Sequence, residues 1–175
     1  MATIGNMIPE LINAYNVYLV GQLLGVSGEV ELPELKSMTD TVEAAGVLGE
    51  IEAPATGHFE STKIKIPFAI LHEDVYKLID TTKAMELTLR GSEQFQDRKT
   101  GNTTDVPVKI AIRGKATTAT NGKLVKGKKG EPAIELEAFY YKVTLNGDEV
   151  LELDKLNFVY SVNGKDLLSR VRANV

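Results

Sequence analysis

Three groups of residues in this sequence have types and spacings that could do chemistry. Carboxylates recur two apart, as Glu29 and Glu31, Glu135 and Glu137, and Glu152 and Asp154. On a strand, such pairs share a face and could divide the roles of general acid and base. The plainer reading is a solvated strand face, because an exposed strand shows every second residue to water. The two histidines, His58 and His72, fall in different elements with no ligand cluster at metal spacing, so no metal site is expected. The run Lys126-Gly127-Lys128-Lys129-Gly130 would attract polyanions. It lacks the spacing of a phosphate-binding loop and has no aromatic residue among its lysines for base stacking, so it reads as a solvated loop that discourages edge pairing. No serine sits in a nucleophile elbow. No catalytic residue and no cofactor is expected.

Composition sets the outer limits. The chain has 175 residues, 43% of them hydrophobic and 25% charged, and residues 1–175 are expected to form one domain with a sizeable core. Cysteine is absent, which excludes disulfides and thiolate metal sites and favours assembly in a reducing cytosol. The formal net charge of -4 argues against a general nucleic-acid binder. No apolar run reaches the ~18 residues needed to cross a bilayer, so no membrane anchoring is expected. Met1-Ala2-Thr3-Ile4-Gly5-Asn6 carries no positive charge and leads into no long apolar core, which argues against a signal peptide.

The elements that would position these residues are mostly strands. Ile64, Ile66, Phe68 and Ile70 alternate with Lys63, Lys65, Pro67 and Ala69, and Pro67 marks an edge or a bulge. Leu87 and Leu89, then Val106, Val108, Ile110 and Ile112, then Ile134, Leu136 and Ala138 repeat the period of two. Residues 15–20 and 26–32 are further strand candidates. Runs at 139–145 and 150–154 flank Asn146-Gly147, a strong hairpin signal because a primed turn needs positive φ at both central positions. A helix is expected over 72–80, with Val75, Leu78 and Ile79 on one side and Glu73 and Asp74 at its positive end. A second is expected over 165–172, with Leu167, Leu168 and Val171 as its apolar face. A helical turn is possible at Pro9 to Asn13. Residues 36–57 read as a long protruding hairpin or loop, and 121–130 as a basic excursion between strands. The fold class is therefore mainly β: an antiparallel β-sandwich or barrel with one flanking α-helix and a short C-terminal helix.

The order of these pieces resembles the major tail tube protein of contractile phage tails and phage-tail-like (R-type) bacteriocins. The likeness starts at Asn16-Val17-Tyr18 with Gly21, continues through 25–33 and Gly49-Glu50-Ile51-Glu52, and is most specific near the C-terminus. There it runs through Tyr140 and Tyr141, Asn146 and Gly147, Glu152, Asp154 and Asn157, then Asn163, Gly164, Asp166 and Leu168. The resemblance implies a non-enzymatic structural protein of a virion tail or tail-like particle, assembled in the host bacterial cytoplasm. Protomers would close into hexameric rings that form a β-barrel, and the rings would stack into a tube. Its partners would be further copies of itself, a sheath protein, baseplate and tail terminator proteins, and a tape measure protein or DNA in the lumen. Within that frame Ser37, Met38, Asp40, Val47, Leu48 and Ile51 are candidates for contact between rings, and Glu135 and Glu137 for acids facing the lumen. A type VI secretion-like tube protein shares the architecture. A small β-sandwich ligand-binding module would also suit the strands, but it usually exposes aromatics, and here Trp is absent and aromatics are 6%.

Overall fold

The computed structural model describes residues 7–24, 28–43 and 48–174. It is mainly β. In chain order the strands are β1 (Met7–Leu19), β2 (Gln22–Leu23), β3 (Ser37–Val42), β4 (Ile51–Phe59), β5 (Lys63–Pro67), β6 (Met85–Asp97), β7 (Thr103–Thr120), β8 (Ala133–Leu145), β9 (Asp148–Asp154), β10 (Val159–Val162) and β11 (Lys165–Asp166). Two short helices, α1 (Glu73–Lys77) and α2 (Ser169–Ala173), complete the described elements.

One antiparallel sheet carries the order β11-β10-β9-β8-β7-β6-β1-β2, with β5 also paired to β8. Strand β8 is the fork. Its first half, Ala133 to Glu137, pairs with β5, and its second half, Tyr140 to Leu145, pairs with β9. The alternation explains the burial. Leu87, Ile112, Ile134 and Leu136 are wholly buried on one face, while Glu86, Lys109 and Lys115 are exposed on the other. Ile64 and Ile66 of β5, Val75 of α1, and Phe68 and Leu78, each just after one of these elements, join the same core. Each fully buried Leu, Ile or Phe contributes about 1.5–3 kcal/mol. This gives a sandwich-like protomer. The sheet does not close on itself, and β1 forms one rim, paired to β2 only at Tyr18 and Leu19. Among the described residues, β3 and β4 form a second, two-stranded sheet.

Four local expectations are corrected. Pro9 to Asn13 lie in β1, not in a helical turn, and β1 ends at Leu19 because Val20 and Gly21 turn the chain at φ 47° and 83°. Of the strand expected over 26–32, residues 26 and 27 lie outside the described part, and the rest makes only an isolated bridge, Glu31 to Lys65. The helix expected over 72–80 spans only Glu73–Lys77. The helix expected over 165–172 begins at Ser169, because Asn163 and Gly164 (φ 51° and 73°) fold Lys165 and Asp166 back onto β10. Of its expected apolar face only Leu168, just before the helix, is buried; Leu167 and Val171 are exposed.

Candidate assembly surfaces

Both histidines and the carboxylates Glu135, Glu137, Glu152 and Asp154 are tied to structural partners. His58 stacks edge-on to Phe158 at 6.3 Å and His72 to Phe68 at 5.4 Å. Among the described residues no three His, Asp or Glu side chains converge as a metal-binding group. Lys63 pairs with Glu135 at 2.8 Å. Glu137 accepts hydrogen bonds from the Ser61 hydroxyl and, at 3.0 Å, from the Thr62 amide, with Lys155 Nζ at 3.5 Å. Burial pushes the Glu137 carboxyl up, but these donors outweigh it and hold the group below the usual glutamate value. The Tyr140 hydroxyl donates to Glu152 at 2.9 Å. Glu29 and Glu31 are exposed on an irregular segment rather than on a strand face.

Glu135, Glu137, Glu152 and Asp154 share the polar face of the large sheet. Lys142 reaches Glu149 at 2.5 Å and Glu152 at 3.9 Å, and the Arg113 guanidinium lies 4.3 Å over the Tyr140 ring and 3.4 Å from Asp154. Further along, Arg90 and Lys109 stand directly opposite one another on β6 and β7, and Arg90 turns over the Tyr18 ring at 5.2 Å. The face is therefore mixed in sign, and Glu135, Glu137, Glu152 and Asp154 each lie beside a cation.

The C-terminal motif consists of turn-makers. Asn146 and Gly147 take φ 52° and 88° in the β8–β9 hairpin, as their types require. Asp154, buried, accepts from the Leu156 and Asn157 amides at 3.1 and 3.0 Å and from Asn157 Nδ2 at 2.7 Å. Asp166 binds Arg172 and caps the Leu168 amide at 2.9 Å; the hydrogen bond from Arg172 is the main cause holding its carboxyl below the usual range. Tyr141 is buried, and that burial pushes its phenol up.

Among the described residues, two surfaces with several exposed hydrophobics bear on assembly. The first is the β1 rim. Ile8, Leu11, Ile12, Val20 and Leu23 along β1 and β2 are exposed large hydrophobics, Ile12 by 63% and Val20 by 78%. Beside them opens an apolar cavity of about 150 Å³ lined by Ile12, Tyr15, Leu32, Leu89, Val108 and Ile110 among others. Register shifts follow Pro9 and Ile12, with Glu10 bound by Gln94 and Asn13 donating to Asp105. Such bulges and prolines protect an edge from indiscriminate pairing. The second surface is the β3–β4 hairpin, which carries Met38, Val42, Leu48 and Ile51 exposed. Asp40 lies on β3 and caps the Thr41 amide, and Ser37 sits at the hairpin base opposite Phe59. Val47 lies outside the described residues. Neither the β1 rim nor its hydrophobics stood out in the sequence. The signal available was Ile8, Leu11 and Ile12 in a segment otherwise rich in polar residues.

The phage tail tube protein FII family model matches residues 9–175. The tail tube protein of Escherichia phage P2 is 26% identical over 172 residues, covering 96% of this chain and 98% of that protein. Among solved structures, a chain from the sheath/tube terminator of an extracellular contractile injection system in its extended state superposes with a TM-score of 0.57 at 12% identity, covering 78% of this chain and 97% of that one. That likeness extends the agreement to the fold alone. With nearly its whole length matched, this chain belongs to the phage tail tube protein FII family.

Proposed function

We propose that this protein builds the inner tube of a contractile tail or tail-like particle by closing into hexameric rings that stack, with no catalytic step of its own. The observation that carries the reading is the β1 rim: a thirteen-residue strand, paired on one side along its length, with exposed Leu11 and Ile12 beside an open apolar cavity. An unpaired edge templates another strand. Because the two rims of the sheet differ, contact between copies is heterologous and must close into a ring or grow as a filament. The cavity then seats an apolar side chain of the neighbouring protomer, a use that fits its place beside the rim better than binding of a small ligand.

Closure in this way places the polar face of β6, β7 and β8 toward the axis, Glu135 and Glu137 included. Those acids are neutralised by Lys63 and Lys155, so the lumen is mixed in charge rather than acidic. The β3–β4 hairpin, through Ser37, Met38, Asp40, Leu48 and Ile51, and with Val47 next to Leu48 in sequence, reaches the adjacent ring. A sheath protein, a baseplate, a tail terminator and a tape measure protein or DNA are the partners this assembly calls for.

Electron microscopy of purified protein across a concentration series, with and without initiating baseplate material, tests the proposal. Hollow cylinders of uniform width are expected, and Leu11→Lys with Ile12→Lys abolishes them while leaving the protomer folded. A compact monomer under every condition, or cylinders that survive both lysines, overturns it.

A further inference from the structure

Among the described residues the β3–β4 hairpin shares no ladder with the nine-stranded sheet, so its direction is set by the short link through residues 60–62, where Lys155 Nζ donates to the Glu60 carbonyl at 2.8 Å, and by side chains at its base. The side-chain contacts around the bulge of β4 come from the chain between Phe158 and Leu168. Between Ser37↔Phe59 and Thr39↔Pro54 the register jumps, and the extra residues of β4 bulge over the chain end. Gly57 there sits so close to Leu168 that a Cβ at position 57 would lie 2.6 Å from Leu168 Cδ2. His58 meets Phe158 and Phe59 meets Tyr160, the latter at 4.9 Å. Leu168 is 1% exposed, and its position is fixed from three sides. The Asp166 carboxylate caps its amide, Arg172 ties Asp166 to the Phe158 carbonyl at 2.9 Å, and the Leu167 amide donates to the Tyr160 carbonyl at 2.9 Å.

We propose that the β10–β11–α2 segment aims the hairpin, with Leu168 as the positioning residue, and thereby sets whether rings stack. This rests on the reading of the hairpin as the contact between rings. It gives a role to Asn163 and Gly164, which turn the chain back onto β10, and to Asp166, whose carboxylate is taken up by Arg172 and the Leu168 amide within the same segment.

The test exploits the absence of native cysteine. Spin labels at T41C on the hairpin and K109C on β7, both exposed positions, report the hairpin's direction in the free protomer. A single narrow distance distribution is expected for the parent, broadening about twofold in Leu168→Ala and restored in Leu168→Met. Leu168→Val provides a gentler step that preserves the fold, and Ile112→Val removes one methylene group from the central core as a control that leaves the distribution narrow. In the assembly arm, Leu168→Ala forms rings but shortens cylinders severalfold. An unchanged distribution in Leu168→Ala and Leu168→Val, equal broadening in Ile112→Val, or full-length cylinders despite broadening overturns the proposal. Failure of the parent to form cylinders would sink the ring-stacking reading and the stacking half of this inference with it, while the label distances would still decide whether Leu168 holds the hairpin.

Discussion

Replacing Asp154 by alanine has a cost that follows from its contacts. Asp154 is 6% exposed, and its carboxylate receives four hydrogen bonds, from the Leu156 and Asn157 amides, from Asn157 Nδ2 and, at 3.4 Å, from Arg113. Bonds to an ionised acceptor contribute about 1.5–3 kcal/mol each when both partners are sheltered from water. Here Leu156 and Asn157 are exposed, so water replaces part of the loss. That discount brings the expected destabilisation of Asp154→Ala to about 3 kcal/mol. Urea unfolding of the protomer reads it directly. At a slope of about 2 kcal/mol per molar, the midpoint falls by about 1.5 M. Asp154→Asn retains one acceptor oxygen and loses the charge toward Arg113, so it should fall near half of that. The effect is local to the β9–β10 turn, which feeds Phe158 at φ 55° into the contact with His58. A midpoint shift for Asp154→Ala no larger than that of an exposed control, such as Lys126→Ser, would refute the reasoning.

Leu11→Lys with Ile12→Lys changes protomer stability by less than about 0.5 kcal/mol by thermal melting, because both side chains are more than half exposed, yet removes cylinders in electron micrographs. Val20→Asn raises the melting temperature by a few degrees, since a β-branched residue at φ 47° is strained and asparagine tolerates that region; the same change weakens ring formation if the exposed isoleucine, leucine and valine side chains of the rim act together. Gly114→Ala lowers stability by about 1–3 kcal/mol, because its Cβ would lie 2.5 Å from the Glu137 carbonyl oxygen in the neighbouring strand. On acidification, stability falls. Asp166, Asp97 and Glu137 all hold their protons less tightly folded than unfolded, so their contribution is complete above their ordinary values of 3.8 and 4.5 and is lost as pH drops through and below that range. A melting temperature that rises on acidification from neutrality to pH below 4.5 would contradict this sign.

What the sequence disclosed and what it concealed differ for a physical reason. The strands at 63–67, 85–97, 103–120 and 133–145 bury one face inside the protomer, so Ile64, Leu87, Ile112 and Leu136 had to alternate with polar residues and the period of two was visible. The Asn146-Gly147 turn was equally legible, because few other residues accept positive φ at two successive positions. Over Pro9 to Asn13, β1 does not look like a strand in sequence because Ile8, Leu11 and Ile12 stay exposed rather than joining the core as Val17 does. Bulges after Pro9 and Ile12 break the alternation, and Ile8, Leu11 and Ile12 fall at the i, i+3, i+4 spacing that imitates a helix. Residues 165–172 misled for a related reason. Leu167, Leu168 and Val171 have helical spacing, but the Asn163-Gly164 turn spends Lys165 and Asp166 on a strand pairing, leaving Leu168 alone to fill the space under Gly57. That Met38, Leu48 and Ile51 would lie exposed was legible, because they stand in a segment poor in core-forming residues.

The rim and the hairpin are also separate in the protomer, and that separation constrains assembly. The rim belongs to the nine-stranded sheet and is rigid with the core through Val17, buried in the same strand. The hairpin belongs to another sheet and is joined to the body through the Leu168, Phe158 and Tyr160 contacts. On the proposed assembly, rim variants should therefore act on ring closure and clamp variants on stacking, which follows it. Combining Leu11→Lys with Leu168→Ala should then give the phenotype of the rim variant alone, because stacking requires rings. A double variant that recovers cylinders would show that the two surfaces are one interface, and the division of labour between them would have to be abandoned.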